Sequence, residues 1–298
     1  MGKRGTGITA DREALLRRPN RLVRHISERL CNLPPGAGVR IAPELSPSVV
    51  LLVLGRQCEA ADPCLILNKR SQAVRQPGDL CCPGGAIMPR ADAALGSLLF
   101  LAGSPLRRWL CWPQWRKARP SAARSLARVA ATGLREAFEE MRLNPLRLRF
   151  LGPLPPERLR LFGREIHPLA VWADRQRRFR TNWEVERVVT VPIRHLLDPG
   201  NYACFRVSFA RNGQAPREVR DFPCVRYADE SGEELLWGAT FRIVSTFLQT
   251  VFDFQTPEAA ALPRISGTLN RGYMTGKGRG EPERAEEGKG RRDQNPPS

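Results

Sequence analysis

The sequence predicts an α/β domain, and three observations carry that reading. Short apolar runs bounded by turn residues, "PSVVLLVLG" (47–55) and "PCLILNKRS" (63–71), read as adjacent strands. From about Ser121 a helical pattern runs unbroken into "LREAFEEMRL" (134–143). Apolar residues at helical spacing return in "LLWGATFRIVSTFLQTVFD" (235–253), which closes the domain. With 298 residues, 42% hydrophobic and 26% charged, the chain can bury a real core and reads as soluble and globular.

In chain order, residues 1–46 form an N-terminal arm in which 11–31 are amphipathic, with "RLVRHISERL" supplying one or two helical turns. Pro34, Pro35 and the glycines after them break that pattern. The main domain spans 47–256. Its two opening strands lead to a "CCPGG" turn (81–85), and an aromatic, basic insertion follows at about 91–128, with Trp109, Trp112 and Trp115 at every third position. Beyond the long helix, "LRFLGPL" (148–154), "IHPLAVWA" (166–173), "EVERVVTVPI" (184–193) and "CFRVSFA" (204–210) are strand-like. Residues 257–298 are rich in Gly, Pro and charge without apolar periodicity, so they are expected to form a disordered tail.

The formal net charge is +18, and only Lys3, Lys69, Lys117, Lys277 and Lys289 among the 48 basic residues are lysines. Such a surface favours anionic ligands, but charge alone does not call for nucleic acid, and no nucleic-acid partner is expected. Eight cysteines without a CxxC pair suggest reduced, mostly buried thiols. No apolar run approaches the ~18 residues of a membrane span, and the N-terminus lacks an apolar signal core. The expectation is a cytoplasmic protein without a transmembrane segment.

The informative feature is a charge conflict. Glu136, Glu139 and Glu140 project together if 134–143 is helical, because positions i, i+3 and i+4 share a face. Arg135 alone does not neutralise them. A divalent cation does, and oxygen-rich clusters suit Mg²⁺ or Mn²⁺, which also bridge substrate phosphates.

"REAFEEMRL" resembles the second half of the Nudix signature, R-E-U-x-E-E-x-G-U with U aliphatic, and "PGG" (83–85) resembles the loop that opens it. "LILNKRSQAVRQPGDLCCPGG" is similar to the coenzyme A diphosphatase branch through Arg70, Ser71, Arg75, Gly78, Pro83, Gly84 and Gly85. "LLWGATFRI" and "EVERVVTVPI" resemble that branch's closing helix and a late strand. There are departures. One residue is missing between Arg75 and Gly78, Cys82 stands where the branch has Phe, and about 36 extra residues separate Gly85 from Arg135. The signature's first glutamate has no clean counterpart, Asp92 lying one position late, and Arg142 replaces the glycine near the helix end, where Asn144 and Pro145 are expected to make the turn instead.

The resemblance implies an α/β/α sandwich with a mixed central sheet. It also implies metal-dependent hydrolysis of a diphosphate linkage in a nucleotide conjugate. Coenzyme A or an acyl derivative leads, giving 3′,5′-ADP and 4′-phosphopantetheine, with ADP-ribose or a dinucleotide next. A catalytically weak module that binds RNA or protein is the rival. By the same resemblance Glu136, Glu139 and Glu140 are the metal ligands, Arg135 holds a carboxylate, and Gly84 and Gly85 let the backbone approach the site. Glu184 is the candidate base or extra ligand, and Arg70 and Arg75 grip phosphate. His25, His167 and His195 are structural or surface residues, and Cys81 and Cys82 packed thiols. The insertion's tryptophans form a lid, a homodimer or partner patch, or packing onto the core, of which packing is preferred.

Overall fold

Ser46–Gly55 (β1) is apolar on both faces and lies inside a sheet, as a strand covered on both sides must. A computed structural model describes residues 9–33, 45–56, 62–159, 163–173, 176, 178–209, 219–269 and 273. Ahead of β1 stand the helices Ala10–Leu16 (α1) and Pro19–Cys31 (α2). After it come Cys64–Arg70 (β2), Leu80–Cys81 (β3), Gly84–Ala86 (β4), and the helices Pro89–Leu98 (α3), Trp112–Ala118 (α4) and Pro120–Met141 (α5). Then follow Leu148–Pro153 (β5), Glu157–Leu159 (β6), Arg164–Ala173 (β7), Val185–Pro192 (β8) and the short helix Ile193–Leu196 (α6). The described chain closes with Tyr202–Phe209 (β9), Val219–Asp229 (β10), Gly232–Leu236 (β11), Gly238–Phe252 (α7) and Arg264–Leu269 (β12).

The main sheet has eight strands in the order β3-β2-β1-β7-β5, with β4 on β1, β6 on β7 and β8 on β2. It is mixed: β1 runs parallel to β7 and antiparallel to β2 and β4. Alternation along β1 sends Val49, Leu51 and Val53 to one core with α5, and Leu52 and Leu54 to the other with α2 and α7. Helices therefore cover both faces, and the protein is a layered α/β structure with a mixed sheet. Among the described residues no helix is long and apolar enough to cross a membrane.

The arm is more structured than one or two turns. In α2, Leu22, Ile26 and Leu30 fall at i, i+4 and i+8 and are all buried in the α7-side core. Leu22→Ala should cost about 3 kcal/mol of stability, read as a lower denaturant midpoint at an unchanged slope. The insertion packs onto the other face: Trp109 and Trp112 are buried, and Trp109 meets Phe150 edge-on at 5.2 Å. Packing accounts for them.

Three expectations need correction. Cys31 and Cys111 form a disulfide, Cα atoms 6.2 Å apart, joining α2 to the insertion. Cys81, Cys82, Cys204 and Cys224 are free thiols, and Cys58 lies outside the described residues. Part of the expected tail is a strand, β12 pairing in parallel with β9 in a second, four-stranded sheet, β11-β10-β9-β12. The alternation in "RISGTL" is too short and too punctuated by Ser and Gly to announce a strand, which exists because β9 offers it an edge. Beyond Leu269 the tail, apart from Tyr273, lies outside the described residues. Finally, Arg142 itself takes the left-handed turn that ends α5 (φ 53°, ψ 37°), its guanidinium 4.9 Å above the Phe138 ring. Asn144 caps the next turn instead.

Lys69 on β2 and Arg187 on β8 both reach Glu234 on β11, at 2.9 and 2.6 Å. These ion pairs tie the second sheet to the first beside the cavities described next.

Candidate active site

A strand ladder brings the glycine turn under the carboxylate helix. β4 pairs with β1 through Val49–Gly85 and Val50–Gly84, and α5 crosses above β1 and β4. Both glycines are needed for close approach. A Cβ on Gly84 would lie 2.1 Å from the Val49 carbonyl oxygen, and a Cβ on Gly85 2.4 Å from the Glu136 carboxyl carbon.

Arg135 is the organiser of the helix face. Its Nε donates to Asp92 Oδ1 at 2.9 Å, while Nη1 donates to Glu136 at 2.9 Å and to Glu139 at 3.3 Å. Asp92, fully buried on α3, also accepts from the Met88 N–H at 2.6 Å and the Thr132 hydroxyl at 2.8 Å. Burial alone would raise its pKa, but Arg135, Met88 and Thr132 outweigh that and hold it below the usual carboxylate range. Asp92 thus holds Arg135 in place across the insertion. Asp92→Ala leaves Arg135 and two further donors without their acceptor, and should cost about 3–5 kcal/mol in a denaturant titration.

A cavity of about 290 Å³ opens beside this face, and Glu136, Glu140, Glu184, Arg70 and Arg164 are among the residues that line it. Glu136 and Glu140 come from successive turns of α5, and Glu184 from the approach to β8, where its carbonyl accepts from the Ser71 N–H at 2.8 Å. Glu139 does not line the cavity. It is half exposed and bonded to Arg135.

Glu140 is buried and accepts from Asn68 Nδ2 at 2.8 Å and the Gly84 N–H at 3.3 Å, both on Oε2. Burial pushes its pKa up to about 8, with Gly84 pulling down and Glu136 and Glu184 pushing further up. Glu136 is raised as well, chiefly by burial and against the pull of Arg135. Asn68 is buried at the end of the apolar run of β2, and its Oδ1 has no hydrogen-bond partner among the described residues.

No group of three His, Cys, Asp or Glu side chains among the described residues forms a ready metal cage. The donor set nonetheless fits a hard divalent cation. Three carboxylates share the cavity, burial leaves two of them with raised pKa values, and their donor atoms are all oxygen, which suits Mg²⁺ or Mn²⁺ completed by water.

Arg70 donates from Nε to the Arg75 carbonyl at 2.7 Å, and this sets its head beside Cys81. Both arginines line an adjoining cavity of about 820 Å³ that also touches Gly84, Gly85, Arg164 and Trp183. Burial pushes the Cys81 thiol up to about 12 despite Arg70 nearby, so it is a poor nucleophile. His167 is buried in β7 with Glu165, while His25 and His195 bond to backbone carbonyls of Val251 and Arg226.

The predicted residues that meet are Arg70, Gly84, Gly85, Glu136, Glu140 and Glu184, with Arg75 one cavity away and Glu139 turned aside. Sequence reasoning missed Asn68, a polar residue that ends the apolar run of β2. It also missed Arg164, which has no distinguishing signal.

The chain is similar in structure to a C. elegans Ap4A hydrolase, 10% identical over 51% of this chain and 84% of that one, with a TM-score of 0.34. It is also similar to a NUDIX hydrolase from Alicyclobacillus acidocaldarius, 17% identical over 53% and 83%, TM-score 0.35. A third is a MutT/nudix family protein from Enterococcus faecalis, 12% identical over 84% and 76%, TM-score 0.36. No protein-family model and no curated protein matches the chain.

Proposed function

We propose that the protein is a divalent-metal-dependent hydrolase of a diphosphate linkage in a nucleotide conjugate. The observation that carries this is one cavity lined by Glu136, Glu140 and Glu184 together with Arg70 and Arg164. Such a lining suits a phosphoanhydride, whose charge guanidinium groups can grip while a cation held by the carboxylates would neutralise the rest. When bound, Mg²⁺ or Mn²⁺ supplies Lewis acidity and a more acidic water. Glu136 and Glu140 hold the cation, and Arg135, anchored by Asp92, fixes the rotamer of Glu136. Arg70 and Arg164 orient the diphosphate, and Arg75 serves the larger cavity. Glu184 takes a proton from the attacking water, since it is the remaining carboxylate on the cavity wall. Glu139 acts through Arg135, so Glu139→Gln should lower turnover far less than Glu136→Gln.

Coenzyme A or its acyl derivatives lead as substrates, by the similarity of 65–85 to that branch and because an 820 Å³ cavity beside the site has room for a long arm. The test is cleavage of coenzyme A, acetyl-coenzyme A, ADP-ribose, a dinucleotide and NADH with Mg²⁺ or Mn²⁺. Release of 3′,5′-ADP is the expected result. Cleavage of ADP-ribose or the dinucleotide alone would discard coenzyme A and keep the reaction. No turnover by the folded, metal-loaded protein would discard the enzyme.

A further inference from the structure

The insertion between the glycine turn and the carboxylate helix carries seven basic residues from 93 to 128 and no Asp or Glu. Its buried side is accounted for, because Leu99, Leu106, Trp109 and Trp112 all join the α5-side core. The residues between them turn outward on that side of the molecule. Among these, Leu98, Leu101 and Leu110 are each more than half exposed. They do not lie singly. The Leu101 N–H donates to the Leu98 carbonyl at 3.0 Å, and Phe100 meets Trp112 at 5.4 Å, which brings this turn against the start of α4. Arg108 donates to the Leu146 carbonyl at 2.9 Å, adding a fourth exposed leucine beside the insertion.

Exposed cations stand in the same segment. Arg107, Arg116 and Lys117 are exposed, and none of them pairs with a carboxylate among the described residues. The surface is also remote from the carboxylate cavity. Asp92, near the start of α3, reaches Thr132 and Arg135, whereas Gly96 meets Arg128, so α3 runs back along α5 and away from Glu136. From Pro120, where α5 begins beside α4, to Glu136 the helix rises about 24 Å.

An occupant has to match the leucines and the unpaired cations together. A second copy of this chain would cover the leucines but set arginine against arginine. A nucleic acid would meet the cations, but Trp109 and Trp112 are buried and offer its bases no stacking face, and the leucines would stay in water. An anionic bilayer matches both, its headgroups meeting the cations while the leucines enter the acyl boundary. We infer that the insertion is a docking surface for an anionic lipid bilayer, holding the protein at a membrane face without spanning it. This surface rests on the residues of the insertion and its neighbour Leu146 and is independent of the diphosphatase reading.

The test is flotation of the full chain, without divalent metal, on vesicles of phosphatidylcholine alone or with about a quarter phosphatidylserine. Partition should be at least about 100-fold stronger on the anionic vesicles, since each basic residue at such a surface contributes about fivefold. Replacing Arg107, Arg116 and Lys117 together by Gln should remove about 100-fold. Replacing Leu98, Leu101 and Leu110 together by Ser keeps the charge and should lower partition at least about tenfold. All six positions are exposed, so both variants keep the fold, as circular dichroism will check. Raising the salt from about 0.1 to about 1 M shortens the screening length from about 10 to about 3 Å and should release the wild type. Equal partition on neutral and anionic vesicles, or wild-type partition of the folded leucine variant, would overturn the proposal. Capture of single-stranded RNA that the leucine variant retains, with no flotation, would assign the surface to nucleic acid instead. A concentration-dependent dimer that the leucine variant abolishes, again without flotation, would assign it to a second copy of the chain.

Discussion

Glu140→Gln is expected to lower metal-dependent turnover by about 10³-fold, since it removes a charged ligand worth several kcal/mol of charge stabilisation. The same change should make the metal-free protein more stable at pH 8. Burial raises the Glu140 pKa to about 8, so the folded state holds this proton more tightly than the unfolded state, whose carboxyl has an ordinary value of 4.5. The wild-type stability from this group is full below the unfolded pKa and is lost as pH rises through the folded one. The loss amounts to up to about 4 kcal/mol by pH 8. Gln at this position carries no such slope and still offers an acceptor to Asn68 and Gly84. Asp79 has the same sign, with a pKa raised to about 6 by burial against the pull of Tyr273 and Trp237, but its contribution ends lower. The upper part of the window from pH 6 to 8 is therefore where Glu140 weighs more than Asp79. Thermal melts in that window should fall for the wild type and stay nearly level for the variant, and added Mg²⁺ should restore the wild type alone. A variant that melts no higher than the wild type at pH 8 without metal would contradict the buried, uncompensated carboxylate.

Gly85→Ala should cost about 10²-fold in activity with little loss of fold, because a misplacement of about 1 Å at a reacting centre has that effect. The added methyl would lie 2.4 Å from the Glu136 carboxyl carbon, and the nearest atoms are all at the flexible end of that side chain. Glu136 can swing away, so the fold survives, but its carboxylate leaves the cavity and its bond to Arg135. Gly84→Ala differs, because there the obstacle is the Val49 backbone, which cannot yield without breaking the β1–β4 ladder. Comparing the two by melting temperature and by kcat separates a displaced ligand from a broken strand. A Gly85→Ala protein with wild-type kcat would show that Glu136 is not needed where it stands.

The long helix, the strands on either side and the Glu136–Glu140 face were legible because period and spacing act locally. What escaped was set by distant partners. Asp92 lies one position off its expected place and at the start of a long insertion, yet α3 packs on α5 closely enough, at Gly96 against Arg128, for its carboxylate to reach Arg135. Glu139 and Glu140 are neighbours in a string of like residues, and only the direction of each side chain separates a half-exposed partner of Arg135 from a buried cavity carboxylate. Arg142 shows the limit of residue preference. Glycine suits a left-handed turn best, but an arginine that lays its guanidinium over Phe138 can hold one too. β12 and Tyr273 were hidden in a stretch whose composition reads as a tail, and only the edge of β9 and the Asp79 carboxylate reveal their place.

The central claim is that the carboxylates of this cavity hold a divalent cation, and Mn²⁺ binding followed by electron paramagnetic resonance tests it most directly. The free-Mn²⁺ signal should be depleted by the wild-type protein, increasingly so from pH 6 to 8 as Glu140 ionises. The full free signal should return in the Glu136→Gln, Glu140→Gln double variant, whose fold is checked by circular dichroism. Equal depletion by the wild type and the folded double variant would place the cation elsewhere and contradict the site.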